Sequence, residues 1–419
     1  MIRCTIGMMA HNEERNVVPA LCALLDQELD GCTIDEIIVI ASGCIDRTVE
    51  LARHVAAGDP RVTVDVEPER TGKAAAVNRL IKQAKGEVIV LSGADTLPDR
   101  VAISSLVAPF RDPAVGMTGA QVVPVDTPDT VLGRMSHMLW RLHHLMALRR
   151  PKLGEMVAFR NVIAGIPPDA VTDEVALEAE IHARGYRLVY APAALVFNRG
   201  PQTLHDFLLQ RRRIYAGHLA LAREQGYAAS SLSLTRVLPL AWELLGSEPR
   251  LAPWIPVLAA FECYGRLLGK RDANGGRKSF IWPMVRSTKQ VQPVHRPLAA
   301  LVLECRPNAT WSTATRRRVR GLARETRTML WWNDDQCRLV FVVRPAGNVP
   351  ASECARILAR DVERAIGGES VVSAARVVAF RGLPSVEAGA VAPGTVALGA
   401  TATRPERATA RLVASARRR

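Results

Sequence analysis

The stretch Gly86–Asp99, GEVIVLSGADTLPD, decides the fold. Val88 to Leu91 is a short apolar, β-branched run of the kind that makes a buried strand. Ser92, Gly93, Ala94 and Asp95 follow directly, small residues ending in one carboxylate. In an open α/β sheet, ligands sit outside the carboxyl ends of the strands. A single Asp there, on a turn that a bulky side chain would block, suits a divalent metal carrying a diphosphate. A solvated turn aspartate is the plainer account of these few residues, and the flanking chain decides between the two.

Towards the N-terminus the chain alternates strand and helix. Cys4 to Met9 reads as a strand, and Ala10-His11-Asn12-Glu13-Glu14 as the loop opening a helix that runs to Gln27. Asp35 to Ile40 is a second strand, with Asp46 placed to cap a helix over Arg47 to Ala57. Arg61 to Val66 is a third strand, and Arg70-Thr71-Gly72-Lys73 precedes a helix over Ala74 to Lys85. That alternation implies a doubly wound, mostly parallel sheet. Gly72-Lys73 at a helix start suits phosphate, but the full P-loop pattern GxxxxGK[ST] is missing.

Composition bounds the function. With 419 residues, 48% hydrophobic and 23% charged, the chain can build two or three globular cores. A formal net charge of +14 favours acidic partners: nucleotide phosphates, anionic lipid headgroups or nucleic acid. Nucleic acid ranks last and is not expected, because only 5% of residues are aromatic and base stacking needs aromatics interleaved with charge. The eight cysteines form no CxxC pair and no Cys/His ligand spacing, which fits reduced core thiols in a cytoplasmic protein. His11 to Arg15 interrupts the apolar start too early for a signal peptide, and no uninterrupted apolar run reaches the roughly 20 residues of a membrane span.

Six segments now resemble, in order, a family 2 glycosyltransferase with the GT-A, nucleotide-diphospho-sugar-binding fold. They are AHNEE (10–14), SGCIDRT (42–48), RTGKAAAVN (70–78), GAD (93–95), TDEVALEAEIHARGYRLVYAP (172–192) and QRRRIYAG (210–217). The resemblance covers about residues 1–225. It implies a doubly wound α/β domain over 1–229 that moves a sugar, with inversion, from a nucleoside-diphosphate sugar to a hydroxyl acceptor. That acceptor is a sugar or a lipid-linked glycan, and the expected setting is cell-surface glycan or glycolipid synthesis. It also implies a site. Asp95 holds Mg²⁺ or Mn²⁺; Ala10, Asn12, Glu13, Ser42, Asp46, Lys73, Ala94, Gln210 and Arg213 meet the donor. Glu174, with Asp173 beside it, takes the acceptor proton. Acidic residues are favoured in a helix's first turn in any case, so position alone does not single out a base. The sequence departs from the family pattern twice: Gly93 replaces the first aspartate of the metal motif, and Ala41-Ser42 replaces the aspartate that typically meets the base. Gly93 makes a catalytically inactive sugar-nucleotide-binding or scaffolding relative the alternative reading. A nucleotidyltransferase is disfavoured, because Met8 to Asn12 stands where its Gly-rich loop would follow the first strand.

Residues 130–150 space Met135, Met138, Leu139, Leu142, Leu145 and Met146 helically, a core stripe, while His137, His143 and His144 with Trp140 and the arginines would alternatively suit an acceptor site or a lipid headgroup surface. Residues 230–290 are apolar and Trp-rich but broken by Pro239, Glu243, Glu248, Arg250, Pro253 and Glu262. An amphipathic pair at an anionic membrane face and a helical hairpin packed on the catalytic domain both fit this pattern. Residues 291–384 alternate as βαββαβ, the ferredoxin-like arrangement. They also resemble a degenerate GGDEF domain, with WNDDQ (332–336) at the signature position. Glu304, Asp334 and Asp335 could hold a metal there, but Trp332 and Asn333 stand in place of the glycines that admit phosphates. That unit is expected to dock on the transferase domain or to mediate a homodimer, and 385–419 reads as a basic, disordered tail.

Overall fold

A computed structural model describes residues 1–227, 234–275, 299–305, 312–326, 329–333, 338–343, 351–366 and 372–379. The chain divides into two units, residues 1–291 and 292–419.

The first unit is built on one eight-stranded sheet. Its strands are β1 (Ile2–Ala10), β2 (Cys32–Ser42), β3 (Val62–Glu67), β4 (Val88–Gly93), β5 (Thr96–Pro98), β6 (Val115–Pro124), β7 (Val157–Arg160) and β8 (Arg187–Asn198). The order across the sheet is β3-β2-β1-β4-β7-β6-β8-β5. Pairs β1–β2, β1–β4, β2–β3 and β6–β8 are parallel. The exceptions are β7, antiparallel to both of its neighbours, and β5, antiparallel to β8. The sheet is therefore mostly parallel and doubly wound, as the alternating pattern implies. Helices α1 (Val17–Leu25), α2 (Thr48–Gly58), α3 (Lys73–Gln83) and α4 (Ala102–Val107) follow β1, β2, β3 and β5.

Burial explains why the strands read as continuous apolar runs. Val88 to Leu91 are all at most 1% exposed, since both faces of the sheet are covered. One core holds Ile6, Met8, Val39 and Val90; the opposite core holds Ile40, Leu80, Ile89 and Leu91.

Helices α5 (Val131–Arg149), α6 (Asp173–Ala183) and α7 (Leu204–Gln225) complete the sheet's cover. Beyond them α8 (Leu234–Ser247) and α9 (Ile255–Asn274) form the hairpin that one reading of residues 230–290 anticipates. They and the turn between them pack on α5 and α7 through Met135, Met138, Phe207, Leu244, Leu251 and Leu258. Gly265 and Gly269 let α9 lie directly on α7. A Cβ at Gly265 would fall 2.7 Å from Arg211 Cβ, and one at Gly269 would strike the Arg212 carbonyl. Arg212 then pairs with Asp272, Nη2 to Oδ1 at 2.6 Å. Among the described residues no helix is long and apolar enough to cross a membrane. WPMVRSTKQ (282–290) lies outside them.

The second unit has β9 (Ala299–Cys305), α10 (Thr313–Glu325), β10 (Met329–Asn333), β11 (Arg338–Val343), α11 (Ala351–Ile366) and β12 (Val372–Ala379). The sheet order β10-β11-β9-β12, antiparallel throughout, is that of a ferredoxin-like βαββαβ unit. Leu301, Leu303, Phe341, Leu358 and Val362 form its core. Asp334, Asp335 and the tail 385–419 lie outside the described residues, as does the side chain of Glu304.

Candidate active site

The carboxyl ends of β1, β2 and β4 open into a cavity of about 570 Å³. Among the residues lining it are Ala10, Glu13, Ser42, Lys73, Asp95, Glu174, Gln210 and Arg213. Eight of the residues expected from sequence therefore face one space. Four do not line it: Asn12, Asp46, Ala94 and Asp173.

Each of those four supports the wall from behind. Asn12 adopts φ 53°, in the left-handed region that Asn tolerates, and its Oδ1 accepts the Ile45 backbone N–H at 2.9 Å. Asp46 accepts from the N–H groups of Glu14 and Thr48 at 3.1 and 3.0 Å, which fixes the loops after β1 and β2 to each other. Ala94 is buried, and its N–H donates to the Met9 carbonyl at 3.1 Å. Asp173 is 1% exposed, and its Oδ2 lies 3.0 Å from Lys73 Nζ.

Lys73 is the first residue of α3, set there by Gly72, whose φ of +102° only glycine takes readily. Its Nζ lies 2.7 Å from Glu174 Oε1 and 3.0 Å from Asp173 Oδ2. Asn78, a turn further along α3, aligns this group. Its Nδ2 donates to the Ile166 carbonyl at 2.8 Å, and its Oδ1 accepts the Ile166 N–H at 2.7 Å. That two-point link ties α3 to the segment leading into α6, whose first turn supplies Asp173 and Glu174.

Electrostatics separates the two carboxylates. Burial opposes ionisation of Glu174, but the Lys73 charge and hydrogen bond outweigh it and hold the carboxyl below the usual glutamate range. Burial, reinforced by the negative charge of Glu174, pushes Asp173 up against the pull of Lys73. Burial likewise works against the Lys73 charge, and the two carboxylates overcome it and raise the ammonium pKa. The member of the pair that faces the cavity is thus the one held ionised.

Asp95 stands exposed in the turn between β4 and β5. A Cβ at Gly93 would fall 2.5 Å from Asp95 Oδ1, so the carboxylate occupies the room that a side chain at 93 would need. Glu155, which the motifs do not mark, lines the same cavity. Burial raises its pKa to about 7, helped by the charges of Asp95 and Glu174. It is held at φ 59°, a conformation that costs a non-glycine residue about 1 kcal/mol. Among the described residues no three His, Cys, Asp or Glu side chains form a ready metal cage. Asp95, with Glu155 nearby, fits instead a hard divalent ion that keeps one or two carboxylates and takes its other oxygens from phosphate.

Glu155 is positioned by Glu178. The Glu178 carboxylate accepts the Leu153 N–H at 2.8 Å and the Tyr227 hydroxyl at 3.0 Å, which latches residues 151–156 to α6. Glu178→Ala leaves the buried Leu153 N–H without its acceptor. The expected loss is about 1–3 kcal/mol of unfolding free energy, read as a lower denaturant midpoint at unchanged m-value.

On the other wall Arg213 is 8% exposed, and burial followed by the neighbouring Arg211 lowers its pKa to about 9. The cavity then continues away from the sheet between α5, α7, α8 and α9. Leu139, Trp140 and Leu142 line it from α5, Leu238 and Ala241 from α8, and Leu258 from α9. The stripe at 130–150 is therefore core on one side and cavity wall on the other. Of its histidines, His143 lines the cavity, while His137 Nε2 bonds the Asp126 carbonyl oxygen at 2.9 Å and His144 Nδ1 lies 2.9 Å from the Tyr190 hydroxyl.

A mostly parallel sheet with an acidic turn, a basic helix start and an ionised carboxylate around one cleft defines a sugar-nucleotide transferase fold. The solved mannosyltransferase from Pyrobaculum calidifontis, in complex with GDP-Man and Mn²⁺, shares that fold. Its TM-score is 0.50 at 23% identity, covering 66% of this chain and 88% of the other. The model for glycosyl transferase family 2 matches residues 5–167, and that for glycosyl transferase family group 2 matches residues 88–264. Through residues 5–264 the chain belongs to the family 2 glycosyltransferases. It is similar to the poly-β-1,6-N-acetyl-D-glucosamine synthase of Staphylococcus aureus strain COL, at 28% identity over 238 residues. The enzyme of the same name from strain MSSA476 is 30% identical over 238 residues. Either match covers 52% of this chain and 56% of the relative, so the chain spans little more than half the length of these curated relatives.

Proposed function

We propose that this chain transfers a sugar from a nucleoside-diphosphate donor to a hydroxyl acceptor, with inversion, in the synthesis of a cell-surface glycan or glycolipid. The observation that carries the reading is Glu174, held ionised by Lys73 on the wall of the cavity that also exposes Asp95. Ala10, Glu13 and Ser42 border the nucleotide end, while Lys73, Gln210 and Arg213 face the diphosphate. Asp95, with Glu155 beside it, would hold Mg²⁺ or Mn²⁺. When bound, the ion neutralises charge that develops on the leaving diphosphate.

The acceptor oxygen forms its bond to the anomeric carbon as the bond from that carbon to the diphosphate oxygen breaks. Glu174 takes the acceptor proton, and the electron pair leaves with the diphosphate, where the buried Arg213 guanidinium meets it. The incoming diphosphate also competes for Lys73. As the ammonium turns towards phosphate, Glu174 loses its counter-ion and becomes a stronger base at the moment the acceptor needs one.

Gly93 favours a second reading, a relative that binds sugar nucleotides without turnover. Incubating the purified chain with Mn²⁺ and a panel of UDP-, GDP- and dTDP-sugars separates the two. Release of nucleoside diphosphate from one donor, abolished by EDTA, is the expected result; binding without release from any donor would establish the inactive relative.

A peripheral place on the inner face of the cell membrane fits the exposed Leu238 and Trp242 of α8 and the chain's positive charge. The chain is expected to float with phosphatidylglycerol liposomes at low salt and to be released by about 0.5 M NaCl, since screening removes the electrostatic share. Retention at high salt and alkaline pH would contradict peripheral binding.

A further inference from the structure

Past the donor compartment the cavity has a polar end that the transfer step does not use. Three side chains line it: His143 from α5, Lys152 from the loop after α5, and His218 from α7. Trp140 lines it as well, one turn before His143, with the two rings 5.1 Å apart edge to face. Packing sets each of them. Gly217 has no side chain, and a Cβ there would fall 2.9 Å from Val171 Cβ, so α7 presses on the residues just before Asp173 and Glu174. His218, next in the chain, therefore lies beside the base, whose charge acts on its ring. Lys152 directly precedes Leu153, the residue that Glu178 latches. His144, bonded to Tyr190, fixes the turn of α5 that carries His143.

None of the three polar groups has an ion pair or a hydrogen bond among the described residues. His218 is only 5% exposed and still spends neither ring nitrogen on them. Burial, then the positive field of Lys152, keeps both imidazoles neutral at physiological pH. Burial, followed by the charge of Arg211, lowers Lys152 to about 8, so its ammonium is still charged at neutral pH. These protonation states select a ligand. A neutral imidazole offers one donor and one acceptor, and an ammonium offers donors alone. A phosphate or carboxylate only accepts, which leaves both imidazole acceptors unsatisfied. A hydrocarbon leaves all three groups unpaired. Hydroxyl groups donate and accept at once, and they match the set. Trp140 adds a flat apolar surface for the C–H face of a ring. We infer that this end of the cavity is an acceptor subsite for an uncharged pyranose ring, hydrogen-bonded by His143, Lys152 and His218 beside Trp140. This rests on the transferase reading and deepens it, because a ring held next to Glu174 presents its hydroxyl to that base.

Saturation-transfer NMR on the full-length chain, with UDP or GDP and Mg²⁺ present, tests the assignment. The probes are the methyl β-pyranosides of glucose, galactose, mannose and N-acetylglucosamine, with glycerol phosphate as the anionic comparison. At least one pyranoside is expected to bind more tightly than glycerol phosphate. His143→Phe and His218→Phe keep a ring and remove its nitrogens. Each should weaken that pyranoside about tenfold, the worth of one hydrogen bond, with nucleotide affinity and thermal midpoint unchanged. His218→Gln, which retains a donor and an acceptor, should restore most of the binding. Glycerol phosphate binding more tightly than every pyranoside would overturn the assignment, as would pyranoside binding that neither Phe variant weakens. Nucleotide binding without pyranoside binding defeats this inference alone, and absence of both defeats the transferase reading itself.

Discussion

Glu174→Gln is expected to lower kcat by about 10²–10⁴ and to leave donor affinity within about twofold, because the substitution keeps the side chain's volume and removes only its basicity. The Lys73 contact at 2.7 Å persists as a hydrogen bond to the amide oxygen, so the wall of the cavity is retained. Asp173→Asn is the discriminating control. Asp173 is buried, 3.0 Å from Lys73 Nζ, and does not line the cavity, so its neutralisation acts through the lysine. The expected effect is a modest change in both kcat and KM. A collapse of kcat in Asp173→Asn with normal turnover in Glu174→Gln would transfer the base role to Asp173.

The second large effect is at the turn after β4. Asp95→Asn is expected to abolish detectable transfer and to weaken Mn²⁺-dependent nucleotide binding, with the thermal midpoint unchanged. The fold does not depend on this side chain: it is exposed, and its turn is held by the buried Ala94 N–H bonded to Met9. A divalent ion bound at this turn would find few oxygens, since Gly93 offers none and Asp95 fills the space beside it. Calorimetry with UDP or GDP in Mn²⁺ and in EDTA reads the loss directly. Unchanged metal-dependent binding in Asp95→Asn would move the ion to Glu155.

The legible parts of this chain are those fixed by local chemistry. Val88 to Leu91 announces a strand buried on both faces because covered parallel strands carry no polar alternation. Gly72 before Lys73 marks a helix start, and the acidic Asp173 and Glu174 mark another. Long-range pairing is not written in the same way. VAFR at 157–160 has strand character, but nothing local says that it inserts between β4 and β6 and runs against both. Glu155 sits in a short loop without a motif, and the loop that brings it to the cavity is held where Glu178, a turn inside α6, latches Leu153. Glu178 itself reads as one more acid in an acidic helix. Asp46 shows the reverse case: its place in a family motif suggests a donor contact, while the fold spends it on the Glu14 and Thr48 backbone. The hairpin at α8–α9 was open between a membrane-facing pair and a packed one, since apolar content alone does not say what covers it. Gly265 and Gly269, four residues apart, carried the signal for close packing on α7.

The central claim is direct displacement at the anomeric carbon by an acceptor deprotonated by one carboxylate. The anomeric configuration of the transferred sugar, read from the ¹H NMR coupling of the purified product, tests it most directly. From an α-linked nucleoside-diphosphate sugar of gluco configuration the account predicts a β-glycoside, formed by the wild-type chain and lost in Glu174→Gln. An α-glycoside, or free reducing sugar with no glycoside formed, would contradict it.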